Sequence, residues 1–77
     1  MAELNYEIMK NVAILSESTK GWKREVNIVR WNERKPKLDI RDWDGEHIKM
    51  GKGITLNKEE VVELKKILLE TDMDSLD

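Results

Sequence analysis

Lys37-Leu38-Asp39-Ile40-Arg41-Asp42-Trp43-Asp44-Gly45-Glu46-His47-Ile48-Lys49-Met50-Gly51-Lys52-Gly53-Ile54-Thr55-Leu56 reads as strand, turn, strand. Side chains of a strand alternate between faces, so Leu38 and Ile40 share one face while Lys37, Asp39, Arg41 and Trp43 share the other. Asp44-Gly45-Glu46 forms the turn. Met50 to Leu56 returns as a further strand, weakened by Gly51 and Gly53 on either side of Lys52, a pattern that predicts a bulge or a close approach of other backbone. Two readings of Trp43 stay open. An indole standing among cations on the polar face of a sheet is a platform on which an unpaired base can stack; the plainer alternative is a rim ring covering a core edge.

Around this unit the chain is short. Seventy-seven residues make one domain, spanning 1–77, and apolar and charged residues each account for 39% of it, so its core is thin. There is no cysteine to reinforce that core by disulfides or thiolate-bound metal. The expected supplement is self-association, as a homodimer. No apolar run reaches the length of a membrane span, and the first twenty residues, with Glu3 and Glu7 and no cationic leader, lack the layout of a signal peptide. The expectation is a cytoplasmic protein with no membrane partner.

The net charge of −2 hides a strong asymmetry. Residues 1–19 sum to −2, residues 20–53 hold ten bases and six acids for +4, and residues 54–77 sum to −4. The basic middle also holds all three tryptophans, Trp22, Trp31 and Trp43. Cations interleaved with indoles suit a groove that tracks phosphates and stacks bases, whereas cations alone are ordinarily a solvated face.

Taken in order, residues 6 to 16 are rich in β-branched and apolar types and predict a first strand, with a parity change that places a bulge near Lys10-Asn11. Ser16 to Gly21 is a turn by composition. A second strand runs from Trp22 to Trp31, and its apolar centre, Val26 and Ile28, marks the core side. Trp22 falls with them, and Trp31 falls on the opposite, solvent-facing side together with Trp43. Asn32-Glu33-Arg34-Lys35-Pro36 is the next turn, with Pro36 just ahead of the third strand. Asn57 and Glu60 form a capping-box pattern that starts a helix over Lys58 to Glu70. Val61, Leu64, Ile67 and Leu68 make its apolar stripe, and Val62 and Leu69 widen the stripe beyond what one sheet face needs, which points to a partner helix. The acidic tail Asp72 to Asp77 is expected to fray. The fold expected is α+β, a four-stranded antiparallel curved sheet followed by one C-terminal helix (ββββα).

Catalytic and metal motifs are poorly represented. Gly51-Lys52-Gly53-Ile54-Thr55 lacks the first glycine, the residue order and the strand-to-helix context of a phosphate-binding loop. Asp42 to Glu46 has the letters of a calcium loop without its spacing or distal Glu. His47, the sole histidine, has no second His or Cys to complete a zinc site and reads as a turn residue. No nucleophile has an evident base. The expectation is no enzyme, no cofactor, no metal and no small-molecule substrate.

The order of elements, with Leu38-Asp39-Ile40-Arg41-Asp42-Trp43, then Lys52-Gly53-Ile54-Thr55-Leu56, then a capped helix, resembles the positive cofactor four family of single-stranded DNA-binding proteins over about residues 22 to 70. Ala13-Ile14-Leu15-Ser16-Glu17, Lys20-Gly21-Trp22 and Lys49-Met50-Gly51 extend the match toward the bacterial YdbC-type branch. The resemblance implies a homodimer with helices paired at its centre, and curved sheets binding single strands with little sequence preference. It assigns stacking to Trp31 and Trp43 and basic contacts to Lys23, Arg24, Arg41 and Lys52, with Arg34 and Lys35 in a loop of different length. Asn27, Lys37 and Lys49 complete the expected nucleic-acid face, and Val61, Leu64 and Leu68 the expected dimer interface. The Ser-rich and Lys-rich extension of the eukaryotic coactivators is absent. The functional expectation is single-stranded DNA binding in transcription, replication or repair, with single-stranded RNA binding or a protein-interaction role as alternatives.

Overall fold

The computed structural model describes residues 5–76; residues 1–4, Glu3 among them, and Asp77 lie outside the described residues. Four strands, β1 (Tyr6–Glu17), β2 (Lys23–Trp31), β3 (Lys37–Trp43) and β4 (Met50–Leu56), are followed by helix α1 (Lys58–Glu70) and a 3₁₀ turn over Met73–Ser75. The sheet is an antiparallel meander in the order β1-β2-β3-β4. The ββββα architecture matches the expectation. In the exposed tail, Asp72 caps the 3₁₀ turn through Asp74 N at 2.9 Å. No helix among the described residues is long and apolar enough to cross a membrane.

Local chemistry accounts for the connections. Ser18 Oγ accepts from Lys20 N and Trp22 N, and Gly21 takes φ +84°, a conformation that costs other residues more. Asn32 and Glu33 both have positive φ, and Arg34 N donates to Trp31 O at 2.9 Å, the geometry of a type I′ turn. Asp44 Oδ1 accepts from Ile48 N at 2.8 Å and Lys49 N at 3.1 Å, so the carboxylate of the calcium-like word serves its own turn. The capping box is complete: Glu60 N donates to Asn57 Oδ1 at 2.8 Å and Asn57 N to the Glu60 carboxylate at 2.9 Å.

The sheet is strongly curled. Twelve residues of β1 oppose nine of β2, with register shifts after Ile8, Asn11 and Ile14, so the bulge expected near Lys10 is the first of three. A fourth irregularity lies between Arg41 and Trp43, where β4 carries the extra residue. Here Gly53 presses so closely on Arg41 and the Ile40 carbonyl that a Cβ has no room, the close approach its glycines predicted. Extending the Val29↔Lys37 register places Trp31 eight residues along the ladder from Trp43, about 26 Å of flat strand. Yet the Tyr6 ring lies 5.8 Å from Trp31 and 5.3 Å from Trp43, centroid to centroid. Curling alone brings those ends together.

That curl reverses the expected sidedness. Val26 and Ile28, expected to mark the core, are only half-buried, as are Leu38 and Ile40. α1 lies over this apolar face but buries none of its own residues fully. The fully shielded residues, Glu25, Asn27, Val29, Asp39 and Trp43, stand on the other face. Trp43 is 0% exposed, which overturns the expectation that it faces solvent: it pairs across from Lys23 at the curled end, where Tyr6 and His47 close over it. Replacing Trp43 with Ala therefore removes a central packing element, and denaturant unfolding is expected to show a loss of about 3–5 kcal/mol.

Candidate nucleic-acid interface

The inner face of the curled sheet holds two carboxylates, and each is met by one partner from its own strand and by others from elsewhere in the chain. Asp39 accepts from Arg41 Nε at 2.7 Å and from its second nitrogen at 2.8 Å, a bidentate fork, and from Thr55 Oγ1 on β4 at 2.9 Å. Glu25 accepts from Asn11 Nδ2 on β1 and Asn27 Nδ2 on its own strand, and His47 Nε2 lies 2.9 and 3.0 Å from its two oxygens. His47 takes φ +59° in the β3–β4 turn, and its carbonyl accepts from the Tyr6 hydroxyl at 2.6 Å. The turn is thus folded onto the sheet rather than extended from it.

Aromatic rings fill the space between these polar groups. Tyr6 sits tilted between Trp31 and Trp43, and His47 lies 5.5 Å from Trp43. The Arg41 guanidinium carbon is 4.7 Å from the centre of the Trp31 ring, a cation–π contact. The indole N–H groups of Trp31 and Trp43 and the Asn27 amide oxygen have no hydrogen-bond partner among the described residues, so the indoles are held by shape and ring contacts.

The expected nucleic-acid face is divided by this arrangement. Trp31 remains half-buried at the rim, and Lys23 is half-buried beside the other end of the sheet. Arg34, Lys35, Lys37, Lys49 and Lys52 are exposed, and among the described residues none of these cations, nor Lys23, forms an ion pair. Four expected contacts sit elsewhere. Arg24 shares parity with Val26 on the apolar face and pairs with Asp42 at 3.0 Å. Asn27 and Trp43 are fully buried, and Arg41, with its side chain 14% exposed, is spent on Asp39. Of the expected dimer residues, Val61 and Leu64 are half-buried and Leu68 is half-exposed, flanking an open apolar groove with Val26, Leu38 and Ile40.

Sequence reasoning missed Tyr6, Glu25 and Thr55 and gave His47 only a turn. Glu25 carried a usable signal, the one acid in a strand whose other charges are all basic, which needs a partner if it faces inward. Glu25 and His47 do not extend to a metal site: no group of three His, Cys, Asp or Glu residues among the described residues is placed to hold an ion.

An uncharacterized protein of Treponema pallidum (strain Nichols) is 40% identical over 72 residues, covering 94% of this chain and 85% of its own. The family model described as transcriptional coactivator p15 (PC4) matches residues 18–67, from the β1–β2 turn through most of α1. Coverage of that extent, on a ββββα fold, places the chain in the transcriptional coactivator p15 (PC4) family of nucleic-acid-binding proteins.

Proposed function

We propose that this protein binds single-stranded DNA with little sequence preference, as a homodimer, and serves transcription, replication or repair in the cytoplasm. The observation that carries the reading is the sorting of the cations around Trp31. Arg34 and Lys35 follow Trp31 in the turn, and Lys37 stands across from Val29 in register with the Trp31 face. All three are exposed and free of carboxylate partners among the described residues. Free cations beside an indole suit a flexible strand, because phosphates are neutralised without base reading and an unpaired base has a ring to lie on. Single-stranded RNA satisfies the same contacts, since none of them interrogates the 2′-hydroxyl.

The area balance supports the dimer. A chain of 9.1 kDa folded as a monomer exposes about 4,900 Å², whereas this one exposes 6518 Å². The excess of about 1,600 Å² per chain, covered in two copies, falls in the range of obligate homodimers. The surplus is apolar where α1 leaves the sheet uncovered, with Val62, Leu68 and Leu69 exposed.

Three measurements test this. Trp31→Ala is expected to weaken binding to a single-stranded oligonucleotide by about 1–3 kcal/mol while Trp31→Phe retains part of it; undiminished affinity in the Ala variant removes the stacking contact. If three to five phosphates are neutralised, log affinity falls with log salt at a slope of roughly −2 to −3.5, and Lys37→Ala or Lys52→Ala each flattens it by up to about 0.7. A slope near zero means that the cations are only a solvated face. Replacing Leu64 and Leu68 together with Glu is expected to dissociate the dimer in sedimentation, and a pair of unchanged dimeric mass places the interface elsewhere.

A further inference from the structure

We infer that Arg41 is a positioning residue for Trp31 and not a phosphate contact, an assignment that rests on the binding reading above. Three features of its surroundings point the same way. Its side chain is 14% exposed, little surface to offer a backbone phosphate. Two of its nitrogens are committed to both oxygens of the fully buried Asp39 at 2.7 and 2.8 Å, so its charge is already neutralised at contact distance. Its guanidinium carbon then lies over the Trp31 ring, 4.7 Å from the centroid.

The chain of contacts has a direction. Thr55 Oγ1 donates to Asp39 Oδ1 at 2.9 Å, Asp39 holds the guanidinium fork, and the guanidinium backs the indole. Trp31 stands at the end of β2, beyond its last pairing with β3 at Val29↔Lys37, so the β3 ladder does not hold it there. Tyr6 supports it at a tilt from β1, and Arg41 supplies the remaining wall. With one ring face so occupied, Trp31 is held ready for a base without an ordering cost at binding. The guanidinium is suited to this role and an ammonium is not: it is planar, stacks on aromatic faces and accepts a carboxylate at two points simultaneously.

The test compares Arg41→Lys, Arg41→Ala and the milder Thr55→Val in the full chain, with oligothymidine as the probe. The Trp31 indole N–H resonance, identified by its disappearance in Trp31→Phe, reports ring position in the free protein. Both Arg41 variants are expected to shift that resonance and weaken oligothymidine binding about tenfold, within the worth of one stacked base, while the salt slope stays at the parent value. Thr55→Val retains both charges and keeps the test open if an Arg41 variant fails to fold; a smaller shift and a few-fold loss are expected of it. The inference is overturned if the resonance does not move. It is also overturned if Arg41→Lys binds like the parent while Arg41→Ala lowers the slope by about 0.7, the signature of one lost phosphate contact. Failure of the binding reading is distinguishable, because there the parent protein itself ignores oligothymidine or Trp31→Ala binds undiminished while the free-protein resonance still reports on Arg41.

Discussion

Two carboxylates buried on the concave side of a small sheet constrain everything else in this molecule. Neither Glu25 nor Asp39 is reachable by solvent, and an unpaired buried carboxylate is among the most costly features a protein can contain. Each therefore draws in donors from separate elements: Asn11 from β1 and His47 from the β3–β4 turn for Glu25, Arg41 from β3 and Thr55 from β4 for Asp39. Meeting those donors ties β1, β4 and the inward-folded turn to the inner face of the curled sheet. Removing one partner from such a site is costly, about 3–5 kcal/mol, although replacing a whole buried pair with apolar groups often is not. What the polar layer contributes is sidedness. With Leu or Val at 25 and 39 the inner face would lose both of its buried charges, and the contrast that leaves the other face to α1 would weaken.

That sidedness is also what the sequence conceals. Alternation correctly grouped Val26 with Ile28 and Asp39 with Arg41 and Trp43, because period two is a local property. Which group lies inside depends on the curvature, and of the three bulges in β1 that accompany it only the one near Lys10 has a residue signature, the parity change of its apolar positions. The familiar association of apolar with inside then misleads, since the apolar face of this chain is left largely open. The two indoles show the limit most clearly. Trp31 and Trp43 share a face, but Tyr6 and His47 seal the end of the sheet that holds Trp43 and leave Trp31 at the rim. The helix, by contrast, was legible to its last residue, because Asn57, Glu60 and a 3.6-residue stripe are all local signals.

The basic block in the middle of the chain separates by chemistry. Arg24, Arg30 and Arg41 each pair with a carboxylate, Asp42, Glu7 and Asp39, whereas none of the lysines among the described residues does. The guanidinium fork matches carboxylate geometry at two points, and the ammonium is a mobile point charge. Arginine is thereby used mostly to build the sheet and lysine is left to the surface. A face made of mobile point charges attracts phosphates without dictating their spacing, a property that favours tolerance of sequence over discrimination.

The same division of faces leaves room for the proposed dimer and the proposed nucleic-acid surface on so few residues. Domains need at least two packed layers to bury a core, and a single 13-residue helix is too small a second layer for a four-stranded sheet. In the dimer proposed above, a second copy seated on the open groove beside Leu64 would complete the apolar side and leave the other free. Because alternate residues point to opposite faces, the apolar surface beside α1 and the surface that carries Trp31 are separated by the thickness of the sheet itself. In the proposed dimer the two Trp31 sites would then face away from the shared interface, and a flexible strand long enough to reach both would gain avidity from the second without any contact that one protomer lacks.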